Sequence, residues 1–289
     1  MKMLILGSTG MLGMALYHQA AKEKITVVGA ARSGADRTLD VTDDAALKAL
    51  LLAERPEIVV NTVAITNLDA CENNPSSAYL TNTRPASVIA TTCREIGALS
   101  IHISTDHYYT GDERKMHKEH DPVTLVNEYA RTKYAAEAFA LTHEDSLVLR
   151  TNIVGFRNRP GSPTFTEWCI TMLNEKTPAM LFDDFYTSPI DVHSFSEVIL
   201  DLIKTNVTGV LNVSGRDVSS KQEFVLELAE ALRLDTSHTG TGSVKGLSGT
   251  RRAESLALNV HKAEQKLGYM LPDRHEVIAN LVREYTREH

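Results

Sequence analysis

The chain begins MKMLILGSTGMLGMAL (residues 1–16), a short run of Met, Leu and Ile that turns at once into Gly7, Gly10 and Gly13. The run is too short for a helix and shows no alternation, so it is expected to form a strand buried on both faces. Glycines at its end allow a tight turn, a backbone bare enough for a phosphate to approach, and close packing of the helix that follows. That helix would open with unbonded N–H groups and the positive end of its dipole, both favourable to an anion. A strand, a G-x-x-G-x-x-G turn and a helix at the head of a βαβ unit read as a dinucleotide site, with Gly7, Thr9, Gly10, Met11, Leu12 and Gly13 around the pyrophosphate. A glycine-rich turn without a ligand is the plain alternative.

Four further apolar runs follow, at 25–31 (ITVVGAA), 57–62 (EIVVNT), 99–104 (LSIHIS) and 146–150 (SLVLR). The stretches between them carry apolar residues at helical spacing. Strands alternating with helices predict an α/β chain, a doubly wound parallel sheet of Rossmann type with right-handed crossovers, over residues 1–150. After Arg150 the rhythm changes: a loop at 155–164, a helix at 165–175, AMLF, a helix near 193–204, GVLNVS and a helix near 219–233. TGTGSVKGLSGT (239–250) reads as a flexible or ligand-ordered loop, and two helical stretches finish the chain. Residues 151–289 are therefore expected to build mainly a smaller α/β substrate-binding lobe, with some segments returning to the first sheet.

The 289 residues are 43% apolar and 23% charged, with a formal net charge of −7, the balance of an ordinary globular protein. An acidic chain argues against binding nucleic acid through its phosphates. The three cysteines, Cys71, Cys93 and Cys169, have no CxxC spacing and suggest neither a disulfide framework nor zinc, so a reducing, cytoplasmic setting is expected. His117 and His120 lie in a stretch so charged that a solvated loop is the better reading, and no metal site is assigned. No run approaches the length needed to span a bilayer, so no membrane partner is expected.

The end of the second run discriminates between the nicotinamide dinucleotides, because an acid there hydrogen-bonds the ribose 2′-OH. Here GAARSGAD offers Arg32 and Ser33, and no carboxylate before Asp36. An arginine pairs with a 2′-phosphate that an aspartate would repel, so NADP(H) is favoured over NAD(H). A solvated loop charge is the alternative for Arg32.

NEYARTKYAAE (127–137) sets Tyr129 and Lys133 four residues apart in a helical pattern, on one face about a turn from each other. Free tyrosine, with a pKa near 10, exchanges protons poorly at neutral pH, and a nearby ammonium favours its phenolate. Taken alone, the pair reads more readily as two surface residues of a helix, and the rest of the chain has to decide.

With the glycine loop, TLDVTD, NTVAITNLDACENNPSSAYLTNTRPA, HISTDHYYTG and YARTK in that order, the chain resembles the extended short-chain dehydrogenase/reductases, and within them the dTDP-4-dehydrorhamnose reductase branch. TSPIDV and RRAESLALNVHKAEQKLGYMLP are similar to that branch's C-terminal segments. The resemblance implies that Asp40 and Val41 flank the adenine and that Asn61 and Ala64 line the cofactor. It further implies that Asn82 holds the helix beside the site, and that Thr105, Tyr129 and Lys133 form the catalytic triad. It implies substrate contacts at Thr66, Thr105, Asp106, His107, Tyr108 and Asn152, with Arg251 or Arg252 on the pyrophosphate of a nucleotide sugar. The expected activity is NADP(H)-dependent reduction of a nucleotide-activated 4-keto-6-deoxy sugar for cell-surface polysaccharide. A homodimer is compatible with the resemblance, but the acidic magnesium ligands of branch members find no match.

The chain departs from the branch at Ala130, His107, Asn152 and DDFYTSPID, all near the expected sugar pocket, which leaves the sugar open. An epimerase or dehydratase of the same superfamily is one alternative, although Asp106 is followed by His107 where dehydratases place an acid. A non-catalytic NADP-binding regulatory subunit, like the partner of methionine adenosyltransferase, is another, disfavoured by the intact Thr105, Tyr129 and Lys133.

Overall fold

The computed structural model describes residues 1–157 and 163–288; part of the loop expected at 155–164 thus lies outside the described residues. All five expected strands form: β1 (Lys2–Leu6), β2 (Thr26–Ala31), β4 (Ile58–Asn61), β5 (Leu99–Ile103) and β6 (Ser146–Arg150), with a two-residue β3 (Arg37–Thr38) after β2. Helices α1 (Met11–Lys22), α2 (Asp44–Glu54), α3 (Leu68–Asn73), α4 (Pro75–Ala78), α5 (Arg84–Ile96) and α6 (Glu128–Ala140) connect them. Their order in the sheet is β3-β2-β1-β4-β5-β6, continued by β11 (Gly209–Asn212), and β1 to β6 pair in parallel. The chain leaves β1 toward β2, then returns to its other side at β4, so the switch point lies at the C-terminal ends of β1 and β4, where such sheets bind ligands. Leu4, Ile5, Leu6, Val59 and Val60 are wholly buried, which is why these strands lack alternation.

The chain divides into two compact units of comparable length, and the boundary expected at Arg150 is only one of several. The first unit is residues 1–105, 125–150 and 196–211; the second is 106–124, 151–195 and 212–289. Residues 106–124, expected in the first domain, belong to the second because 254–259 binds them. The Thr110 hydroxyl and the Gly111 N–H donate to the Glu254 carboxylate (2.7 Å each), and the His117 N–H donates to the Ala257 carbonyl (2.8 Å). Residues 196–211 belong to the first unit.

The second unit holds short pairs: β7 (Ile153–Val154) with β10 (Ile190–Asp191), β9 (Tyr186–Thr187) with β12 (Ser219–Ser220), and β8 (Ala179–Phe182) with β13 (Thr239–Gly242). Helices α7 (Phe165–Asn174) and α9 (Lys221–Leu232) pack with Val277, Ile278 and Leu281 into its core. Strand β13 corrects the first four residues of the loop expected at 239–250, the remainder holding only a short turn at Val244–Gly246. Its glycines permit close approach: a Cβ on Gly240 would stand 2.9 Å from the Met180 sulfur, and one on Gly242 would stand 2.9 Å from the Met180 Cβ. Cys71, Cys93 and Cys169 are buried free thiols. Among the described residues no helix is long and apolar enough to cross a membrane, and no cluster of acidic, His and Cys side chains is arranged to hold a metal.

Candidate active site

The glycine loop has the shape its spacing implies. Gly7 takes φ +83°, a left-handed conformation that favours glycine, and a Cβ there would lie 2.6 Å from the Thr62 hydroxyl. A Cβ on Gly13 would meet the Gly7 carbonyl oxygen at 2.2 Å, so only glycine lets α1 pack this closely on the turn. Gly10 caps α1 without a side-chain acceptor, which leaves the first-turn N–H groups to an anion. Gly13→Ala must push helix and turn apart; it is expected to lower the melting temperature and weaken dinucleotide binding about tenfold, since overpacking costs about 1–3 kcal/mol. Thermal melts and a dinucleotide titration check this, and unchanged affinity would show that the turn holds no phosphate.

At the end of β2, Arg32 and Ser33 are exposed. The first carboxylate after them is engaged locally: Asp36 Oδ2 accepts the Gly29 N–H at 2.8 Å and the Tyr17 hydroxyl at 3.2 Å. Asp40 closes a local turn, accepting the Thr42 N–H at 2.9 Å and its hydroxyl at 2.8 Å. The Thr42 N–H is the main cause holding that carboxyl below its usual range, and Arg32 assists through its charge. Val41 is buried next to it.

Asn61 ends β4, with its Oδ1 accepting the Val63 N–H at 3.2 Å, and Ala64 and the exposed Thr66 follow. Asn82 bridges two segments of the first unit. Its amide oxygen accepts the Ile65 N–H (2.7 Å), while its NH2 group donates to the Ile65 carbonyl (3.1 Å) and the Thr132 hydroxyl (3.2 Å). It thereby ties the loop after β4 to α6. It lies in a π-helical turn, Tyr79–Thr83, a feature often found at functional sites and one the periodicity did not reveal.

Helix α6 starts at a well-made cap, where the Asn127 side chain accepts the Ala130 N–H at 2.9 Å. Tyr129 is 8% exposed and Lys133 2%, so the pair faces inward. The Lys133 ammonium donates to the Ile103 carbonyl at 2.6 Å and lies 3.5 Å from His102 Nε2. That bond joins α6 to the C-terminal end of β5, two residues before the buried Thr105. Burial pushes Lys133 down to about 8, and the nearby Glu137 carboxylate pulls it back up. Burial and the Lys133 charge hold His102 well below its ordinary value, so its ring is neutral. Sequence reasoning missed His102, Ser104, Glu137 and Arg150. Only Glu137 carried a signal, standing one turn beyond Lys133.

In the second unit, burial pushes the Asp106 carboxyl up, while His107, the Asn152 amide and Lys221 oppose it. The Asn152 amide donates to Asp106 Oδ2 at 2.6 Å. His107 lies 3.8 Å from the other oxygen, and burial pushes its pKa down. Lys221, also missed, sets its ammonium 3.9 Å from the centre of the Phe165 ring. The Tyr108 ring is fully buried, edge-on to Tyr109, and Arg251 and Arg252 are exposed.

The family model described as the RmlD substrate binding domain matches residues 1–287. The spore coat polysaccharide biosynthesis protein SpsK of Bacillus subtilis is 27% identical, over 99% of this chain and 97% of its own. Methionine adenosyltransferase 2 subunit beta of Xenopus laevis is 26% identical, over 94% of this chain and 84% of its own. Among solved structures, dTDP-4-dehydrorhamnose reductase from Bacillus anthracis in complex with NADP superposes with a TM-score of 0.87 at 23% identity, covering 98% of each chain.

Proposed function

The chain belongs to the family described as the RmlD substrate binding domain, and from that premise we propose that it is an NADP(H)-dependent reductase of a nucleotide-activated 4-keto-6-deoxy sugar, serving polysaccharide synthesis. One observation carries the reading: the buried Lys133 ammonium, bonded to the Ile103 carbonyl, stands one helical turn from the inward-facing Tyr129.

The cradle formed by Gly7, Gly10 and Gly13, which a Cβ would fill, fits a dinucleotide pyrophosphate, with Thr9, Met11 and Leu12 supplying backbone around it. Arg32 and Ser33 suit a 2′-phosphate, Asp40 and Val41 the adenine, and Asn61 and Ala64 the inner half of the cofactor. A bound nicotinamide supplies the hydride. Tyr129 gives the proton to the developing alkoxide, and Thr105 donates a hydrogen bond to the same oxygen. Lys133 compensates the charge left on Tyr129. Asp106, His107 and Asn152 form a polar cluster suited to sugar hydroxyls, and Arg251 or Arg252 suits the pyrophosphate.

The expected result is NADPH oxidation, followed optically, with at least one nucleotide-activated 4-keto sugar. The relative named methionine adenosyltransferase 2 subunit beta raises a regulatory reading. NADPH binding without turnover on any such sugar would favour it, although Thr105, Tyr129 and Lys133 are all retained.

The NADP preference is tested at Arg32. A charge-assisted phosphate contact contributes about 1.5–3 kcal/mol. Arg32→Ala should therefore weaken NADPH tenfold or more while leaving NADH unchanged, and equal losses in the two titrations would remove Arg32 from this role.

A further inference from the structure

Behind the Tyr129 and Lys133 pair lies a buried charge network that the proposed reaction does not use. Glu137, four residues beyond Lys133 on α6, is 2% exposed, and Arg150, at the end of β6, is 4% exposed. The guanidinium grips the carboxylate in a fork, Nε to Oε1 at 3.0 Å and Nη2 to Oε2 at 2.7 Å. The Ser104 hydroxyl donates to Oε1 at 2.5 Å. Ser104 immediately precedes Thr105, and Lys133 itself bonds the carbonyl of Ile103. The end of β5 thus touches both charges of α6.

A buried ion pair is weak grounds for stability, because desolvation consumes much of the attraction. A plain anchor between α6 and β6 would work as well with apolar side chains. What apolar side chains could not supply is a fixed negative charge one turn from a buried ammonium. Among the described residues, the titratable groups nearest that ammonium are Tyr129 and Glu137, one turn to either side on its own helix, and His102 on β5, which is neutral and offers no compensating charge. Arg150, on β6, faces Glu137. Among the described residues, Glu137 is the carboxylate that opposes the burial cost on Lys133.

We propose that Glu137, clamped by Arg150 and Ser104, is a positioning residue that keeps Lys133 in its ammonium form beside Tyr129. The assignment rests on the reductase reading above, because it is through Tyr129 that the charge would act. Each turnover leaves Tyr129 short of a proton, and a neutral Lys133 could not compensate that charge. Glu137 touches neither substrate nor cofactor in this scheme.

The test compares kcat against pH in the parent enzyme, Glu137→Gln and the double variant Glu137→Gln/Arg150→Met, using NADPH and the nucleotide-activated 4-keto sugar that the parent reduces. Glu137→Gln alone leaves a buried guanidinium without its carboxylate and is expected to lose stability; the double variant removes both charges and is expected to fold. In both, the alkaline limb of kcat should move to lower pH by about one unit, since a close opposite charge shifts a titration by that order. The change should fall on kcat more than on KM. Glu137→Asp, which keeps the charge, should retain the parental limb. A folded double variant with an unmoved limb would overturn the proposal, and so would its failure to fold, which would mark Glu137 as purely structural. A substrate-free arm follows the pH dependence of Lys133 acylation by acetic anhydride, read by peptide mass. If the parent reduces no sugar, the reductase reading fails, while the labelling still shows whether Glu137 holds the charge.

Discussion

Tyr129→Phe should lower turnover on the true substrate by about a hundredfold to ten-thousandfold, the range that general acid catalysis contributes. The substitution removes one oxygen from a side chain that is 8% exposed and leaves the ring in place. NADPH affinity and melting temperature should therefore change little, so a fall in kcat cannot be ascribed to misfolding. If the tyrosine only decorates α6, kcat stays within a factor of about two, as for substitutions away from special features. A Tyr129→Phe enzyme with parental kcat would end the mechanism, whatever the cofactor titration shows.

How far the sequence foretold this arrangement depends on the range of the interactions involved. The strands of the first unit were legible because burial on both faces leaves a short apolar run, as in MLIL, and α1, α2, α5 and α6 because an inward stripe leaves helical periodicity, whereas the short α3 and α4 were not separately legible. The Tyr129 and Lys133 pair was legible because its partners are one turn apart. Glu137, Arg150 and Ser104 were not, because their bonds join residues 33 positions (Ser104 to Glu137) and 13 positions (Glu137 to Arg150) apart in the chain, and no local pattern records them. The same holds for 106–124, which reads as a charged loop and is assigned to the second unit by bonds to Glu254 and Ala257. At 239–242 the local signal misled: glycine marks both a turn and a close approach, and only the neighbouring Met180 tells which, whereas 243–250 holds only a short turn and irregular backbone, as a loop would. The departures at His107 and Asn152 were visible as residues, yet their pairing around a buried Asp106 was not.

Lys133→Met separates function from stability more sharply still. In the folded chain the ammonium is less favoured than in the unfolded one, its pKa falling from 10.5 to about 8. The sign follows from linkage: a buried cation with a depressed pKa costs stability, in full below pH 8, and the cost fades as the pH rises from 8 toward 10.5. At 1.36 kcal/mol per unit the cost is on the order of 3 kcal/mol. Against it stands the hydrogen bond to the Ile103 carbonyl, whose orphaning costs about 1–3 kcal/mol. Methionine keeps most of the volume, so Lys133→Met should be at least as stable as the parent at pH 7. Its activity should nevertheless collapse, with turnover reduced a hundredfold or more and NADPH bound more weakly, because the charge that compensates Tyr129 is gone. Above pH 10 the parent should recover the stability difference, and the activity difference should shrink, because Lys133 is itself neutral there. Thermal melts at pH 7 and pH 10, set beside turnover and NADPH titrations, distinguish the cases. A variant that loses both fold and turnover at pH 7 would make Lys133 an anchor between α6 and β5; one that keeps the fold and loses turnover would show that the chain bears a buried charge for the sake of the reaction.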